Sequence, residues 1–175
     1  NGSSISLNQL TAQGAVDLQT PGGVSVATNG STPLSATQIV TTGDLDLVAA
    51  SGGIGSSALP LTVSIGGALS NASAGGDSYL NFVNHDALIE RDFAGGTASI
   101  TSGAGYAIES GLNGLNIEAA NIVLNSGGAI GASNAPLAIL ATGALSGGAR
   151  GSANIDAPVV AGNAPNALTV ASFTA

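Results

Sequence analysis

Cysteine, methionine, tryptophan and lysine are all absent from this chain of 175 residues, which holds only five aromatic residues and two arginines. Without cysteine there is no disulfide framework and no thiolate metal site, a usage compatible with export. Without lysine, and with a net charge of −8, the chain lacks the clustered cations that bind phosphate backbones. Nucleic acid and anionic lipid are therefore excluded as partners. No window approaches the roughly 18 apolar residues of a transmembrane helix. Tyr79, Phe82, Phe93, Tyr106 and Phe173 are too few and too clustered for the aromatic girdles of a membrane barrel. The expectation is a water-soluble chain. It begins at Asn1 with no methionine and no signal peptide, and reads as a mature or excised piece of something longer.

What is present is glycine, 27 residues of it, with an apolar fraction made mostly of Ala, Val, Leu and Ile. Such side chains fill a narrow interior better than a thick globular core. The polar–apolar pattern has period two in short bursts: Ser4-Ile5-Ser6-Leu7, Ala15-Val16-Asp17-Leu18, Asp44-Leu45-Asp46-Leu47, Ala98-Ser99-Ile100-Thr101, Leu115-Asn116-Ile117-Glu118 and Ala167-Leu168-Thr169-Val170. Gly, Asn, Ser or Pro bounds each burst, as turns require. No stretch combines a helical period with a start cap and a stop. The expectation is all-β.

The chain also repeats itself. Ile54-Gly55-Ser56-Ser57-Ala58-Leu59-Pro60-Leu61 recurs as Ile130-Gly131-Ala132-Ser133-Asn134-Ala135-Pro136-Leu137, an offset of 76, and the match runs on to Gly143-Ala144-Leu145-Ser146. The two copies span 51–70 and 126–146, and a weaker third begins at Pro33-Leu34. Short strands, turn residues and imperfect repeats describe a single β-solenoid over residues 1–175. Coils of roughly 20 to 25 residues predict about seven or eight rungs, stacked in parallel at ~4.8 Å.

At Gly52-Gly53-Ile54-Gly55 followed by Pro60-Leu61-Thr62-Val63, the sequence resembles the large exoproteins of the filamentous haemagglutinin type, two-partner-secretion adhesins of Gram-negative bacteria. Gly127-Gly128-Ala129-Ile130-Gly131 with Pro136-Leu137 repeats the phrase, and Ala94-Gly95-Gly96-Thr97-Ala98 is related to it. The resemblance implies a right-handed parallel β-helix, export through an outer-membrane β-barrel transporter, and a secreted or cell-surface role in adhesion, aggregation or biofilm cohesion. Its partners would be cell-surface or matrix protein or polysaccharide. The Asn-Pro-Asn motif of that family's secretion domain does not occur here, so the segment would be interior or distal.

Charge gathers in one place. His85-Asp86-Ala87-Leu88-Ile89-Glu90-Arg91-Asp92 holds the only histidine, one arginine and three of the ten carboxylates. It lies in the longest glycine-free run, 77–94, with three of the five aromatics. On one regular strand Ala87, Ile89, Arg91 and Phe93 would share a face, leaving Asp86, Leu88, Glu90 and Asp92 on the other. Three such carboxylates invite a calcium site, but alternate residues lie ~7 Å apart, so loop carbonyls would have to complete it. The plainer reading is a solvated turn and strand edge. His85, Asp86, Glu90, Arg91 and Asp92 are thus the candidate surface patch, with Tyr79, Phe82 and Phe93 either anchoring an interface or plugging a wider coil.

Catalysis finds little support. Serines are too abundant to nominate a nucleophile for His85. An Asp86–Glu90 glycosidase pair lacks the basic and aromatic residues that would hold a sugar acid. Gly75-Gly76-Asp77 occurs once, without the tandem spacing of calcium-binding nonapeptides, and reads as a turn; Asp44 and Asp46 read as a polar outer face. No cofactor is expected. The functional expectation is a non-enzymatic adhesive rod. The alternatives are a fibre protomer that self-associates through its solenoid ends and, less favoured, a β-helical polysaccharide-degrading enzyme.

Overall fold

The computed structural model describes residues 2–158 and 169–175. The chain winds as a parallel β-solenoid in which two large sheets alternate along the sequence, beside a short parallel pair, Ile5–Leu7 with Val24–Val26. Ala167 and Leu168 of the last alternating burst fall outside the described residues.

The long sheet stacks eight strands: Leu10–Ala12, Ile39–Thr41, Leu61–Ile65, Ser78–Phe82, Thr97–Ser102, Asn121–Ser126, Ala144–Ala149 and Thr169–Thr174. The second sheet runs Val16–Thr20, Leu45–Ala49, Leu69–Ala74, Asp92–Ala94, Ile117–Ala119, Leu137–Ala141 and Ile155–Asp156. Ala87–Ile89 and Ile108–Ser110 extend it to nine strands. Every pairing within both sheets is parallel.

From Val16–Thr20 to Leu137–Ala141 the winding makes about five turns, somewhat fewer than the seven or eight coils expected. Chain is spent on excursions that add no rung. One carries a small antiparallel pair, Thr28–Asn29 with Thr32–Pro33; others lie at 56–59, 111–116 and 132–135. The outermost strand Ile155–Asp156 has only two residues.

Because successive side chains on a strand point to opposite faces, the period-two bursts place alternate residues in the bore. Leu45 and Leu47, Leu61 and Val63, Ala98 and Ile100, and Ile122 and Leu124 are buried there. Register makes them ladders: Leu61, Leu80, Ile100 and Leu124 are consecutive steps of one. Each such Leu or Ile contributes roughly 1.5–3 kcal/mol by leaving water.

The repeated phrase has the same shape both times. Ile54 and Ile130 are fully buried and bridge the rungs on either side, Ile54 to Val24 and Ser78, Ile130 to Ile108 and Ala153. Gly55 (φ 64°) and Gly131 (φ 57°) follow in the left-handed region, which a side chain rarely adopts. A Cβ on Gly55 would also meet the Tyr79 carbonyl oxygen at 2.6 Å. The chain then loops out and closes on itself: Ser56 N and Leu59 N donate to each other's carbonyls, as do Ala132 N and Ala135 N. Pro60 and Pro136 lead back into the next strand.

Corner residues tie rungs together. Side-chain oxygens of Asp44, Asp77, Asp86 and Asn121 accept the backbone N–H of Ala68, Thr97, Ala107 and Ala144 on the following turn, at 2.9, 2.7, 2.7 and 3.2 Å. Hence Gly75-Gly76-Asp77 is a capped turn, and Asp44 is a structural cap.

Candidate functional site

The five patch residues do not form one surface. His85 and Asp86 lie exposed at the corner between Ser78–Phe82 and Ala87–Ile89, where Asn84 adopts φ 70°. Asp86 is engaged there as the cap on Ala107 N. Glu90 and Arg91 lie at the next bend. The Arg91 guanidinium stacks over the Phe93 ring, 5.1 Å from its centroid, a cation–π contact.

Asp92 belongs to neither corner and is corrected from surface to interior: it is 0% exposed, in the bore. The physical reason is a break in alternation. Ala87 and Ile89 point inward, Glu90 and Arg91 both stay outside, and the parity therefore flips, so Asp92 and Ala94 point inward. Phe93, expected to share a face with Ala87 and Ile89, lies on the outer side instead. Of the aromatic trio, only Phe82 plugs the bore, 1% exposed.

Asp92 is an electrostatic anomaly. Its inward neighbours in register are Ala72 on one rung and Ile117 on the next. Among the described residues, neither carboxylate oxygen has a hydrogen-bond partner, nor has the buried hydroxyl of Ser78. Burial without compensation disfavours the charged form and pushes Asp92 up to about 7. Nearby Ser78 Oγ opposes that only in part, since the pair makes no hydrogen bond of ordinary geometry. Asn116, equally buried, is fully engaged: Nδ2 donates to Ile89 O at 2.9 Å, and Oδ1 accepts from Ala138 N at 2.9 Å and Ser110 Oγ at 3.1 Å.

Among the described residues, no three His, Asp or Glu side chains stand together as metal ligands. A cavity of about 500 Å³ opens between the excursions 111–116 and 132–135; Leu112, Leu115, Pro136 and Ala138 form apolar walls, and Asn134 and Asp156 supply polar groups. The excursions were visible in the sequence only as breaks between bursts, so nothing there pointed to their stacking.

A second feature escaped the sequence reading because it exists only after stacking. Among the described residues, no strand of the long sheet contains a charged residue, while strands of the second sheet hold Asp17, Asp46, Glu109, Glu118 and Asp156, besides the buried Asp92. Outward on the long sheet runs a row in register, Thr62, Asn81, Thr101 and Asn125, beside Tyr79, Ser99, Val123 and Ser146. Asn81 Nδ2 donates to Thr62 Oγ1 at 3.3 Å. The rod thus has one neutral, hydroxyl- and amide-bearing side and one acidic side.

Comparison with protein-family models, curated proteins and solved structures finds no match to this chain.

Proposed function

We propose that the chain is a non-enzymatic structural and adhesive segment, a stiff solenoid that makes contact through the outer face of its long sheet. The observation that carries this reading is the segregation of charge: a molecule of net charge −8 keeps one whole sheet free of charged residues. Like charges oppose close approach of acidic surfaces, and a neutral face bearing Thr, Asn and Ser is the side on which protein or polysaccharide can lie without that opposition. The contact is spread over successive rungs, which suits cohesion more than chemistry at a point. Display outside a Gram-negative cell and export through an outer-membrane β-barrel transporter belong to the same proposal, resting on the Gly52-Gly53-Ile54-Gly55 phrase with Pro60-Leu61.

Beads coated with the purified chain test it. Clumping, and retention on a bacterial biofilm, should fall several-fold when Thr101→Asp and Asn125→Asp place charge on the neutral face. Gln19→Glu on the acidic sheet should leave both readouts unchanged. Full retention by the Thr101/Asn125 variant, with its β-sheet circular dichroism intact, would sink the reading.

A further inference from the structure

The neutral side of the long sheet ends at a cation. Of the two arginines, Arg91 is stacked on Phe93 at the bend before Asp92–Ala94. Arg150 directly follows the long-sheet strand Ala144–Ala149 and is exposed. Its backbone N–H donates to Ser126 O on the preceding rung at 3.2 Å, and the residue after Ser126 is a glycine with no side chain to fill the step. An open pocket of about 210 Å³ results, lined by Ser102, Ala104, Asn125, Ser126, Gly127 and Arg150. Its two serines are engaged by the corner itself. Ser102 Oγ donates to Tyr106 O at 2.7 Å and accepts from Gly127 N at 3.3 Å; Ser126 Oγ donates to Ala129 O at 2.8 Å and accepts from Gly128 N at 3.2 Å. Asn125 and Arg150 are exposed, and among the described residues neither side chain has a hydrogen-bond or ion-pair partner. What the pocket offers is therefore N–H groups, a carboxamide and the fork of a guanidinium, a donor set that suits a carboxylate.

Asn125 is also the last side chain of the outward row Thr62, Asn81, Thr101 and Asn125, since Gly148 follows it in register. The row advances by one rung, ~4.8 Å, per residue, close to the advance per sugar along an extended polysaccharide. Its amides and hydroxyls both donate and accept, as sugar hydroxyls do. The adjoining row brings the half-buried Tyr79, a ring on which a sugar face can rest. A peptide partner would need apolar contact at the centre of its interface, and this row has no apolar side chain. We propose that the long sheet binds a linear glycan in which uronic acids are spaced among neutral sugars. One uronate carboxylate sits against Arg150 and Asn125, and the neutral sugars next to it run along Thr101 and Asn81. This rests on the reading of the long sheet as the contact face and names its partner. Sparse charge is part of the proposal: a single arginine offsets a single carboxylate, and a molecule of net charge −8 repels a polymer acidic at every sugar.

Calorimetric titration of the full chain with oligosaccharides of deacylated gellan, whose glucuronates are separated by neutral sugars, tests this. The parent should bind them, and Arg150→Gln, with its β-sheet circular dichroism intact, should bind about tenfold more weakly. Reducing the glucuronate carboxyls to alcohols should weaken binding to the parent by the same factor and leave binding to Arg150→Gln unchanged. Arg91→Gln, which removes the same charge at the other bend, should bind as the parent does. Polygalacturonate, acidic at every sugar, should bind more weakly than gellan. The proposal is overturned if gellan does not bind, if Arg150→Gln binds it as tightly as the parent, or if the reduced oligosaccharide binds the parent equally well. It also fails if Arg91→Gln weakens binding as much as Arg150→Gln, or if polygalacturonate binds as tightly as gellan. Bead clumping, which needs no glycan, reports on the contact face separately. If it still falls with Thr101→Asp and Asn125→Asp while gellan fails to bind, the face stands and this partner does not.

Discussion

Asp92 sets a pH dependence on the stability of the whole coil, and its sign can be worked out. In the unfolded chain the carboxyl has the ordinary value of 3.8, and in the folded chain about 7. Below 3.8 both states carry the proton and Asp92 adds no pH-dependent cost. Between the two values only the folded state binds it, so stability falls as pH rises, by roughly 1.4 kcal/mol per unit. Above 7 both states are ionised and the penalty levels off at up to about 4 kcal/mol. Denaturant midpoints should therefore show Asp92→Asn equal to the parent near pH 4 and more stable at pH 8; equal midpoints at both would reject the buried, unpaired carboxylate. Sequence alternation could not reveal this residue. Two outward residues at Glu90 and Arg91 shift the parity of everything up to the next corner, and the same happens where Asn116 and Ile117 are both buried. Period-two reasoning places a side chain only relative to the last bend, and bends of two residues leave no signature among charged side chains.

Between rungs the recurring unit is a corner cap and the glycine that accommodates it. A Cβ added at Gly96 would run into Asp77 Oδ1, the atom that accepts the Thr97 N–H. Gly96→Ala should then force a choice between the methyl group and the cap. Asp77→Ala alone should cost about 1–2 kcal/mol, the scale of a lost charge-assisted bond at a partly exposed site. With Asp77 already removed, Gly96→Ala should cost less than in the parent, leaving an interaction of about 1 kcal/mol in the double-mutant cycle. Simple additivity in denaturant titrations would mean that the glycine serves some other purpose. These elements were partly legible. The repeat of Gly52-Gly53-Ile54-Gly55 as Gly127-Gly128-Ala129-Ile130-Gly131 was plain in the sequence, and both copies fold alike, each with its Ile buried. What each Asp caps was hidden, since its partner lies 20 to 24 residues on, one turn away. The neutral and acidic faces were hidden for the same reason, because no linear window contains residues from neighbouring rungs.

At the scale of the molecule, the solenoid's interior is continuous but its contacts are local: each rung touches the next, and stability spreads by nearest-neighbour coupling. Composition and repetition made that architecture readable before any coordinates, although the excursions concealed how few turns result. The local coupling has a measurable consequence. Ile100 is fully buried in the ladder between Leu80 and Leu124. Ile100→Ala removes three carbons from a bore with little freedom to collapse, at a cost of about 2–5 kcal/mol. In a globular domain that loss lowers the stability of every part together. In a stack of rungs it should act first on the adjoining ones, so hydrogen exchange ought to accelerate in Ser78–Phe82, Thr97–Ser102 and Asn121–Ser126 while Val16–Thr20 and Leu45–Ala49 keep their protection. Uniform acceleration along the chain would show instead that the coil opens as a single cooperative unit.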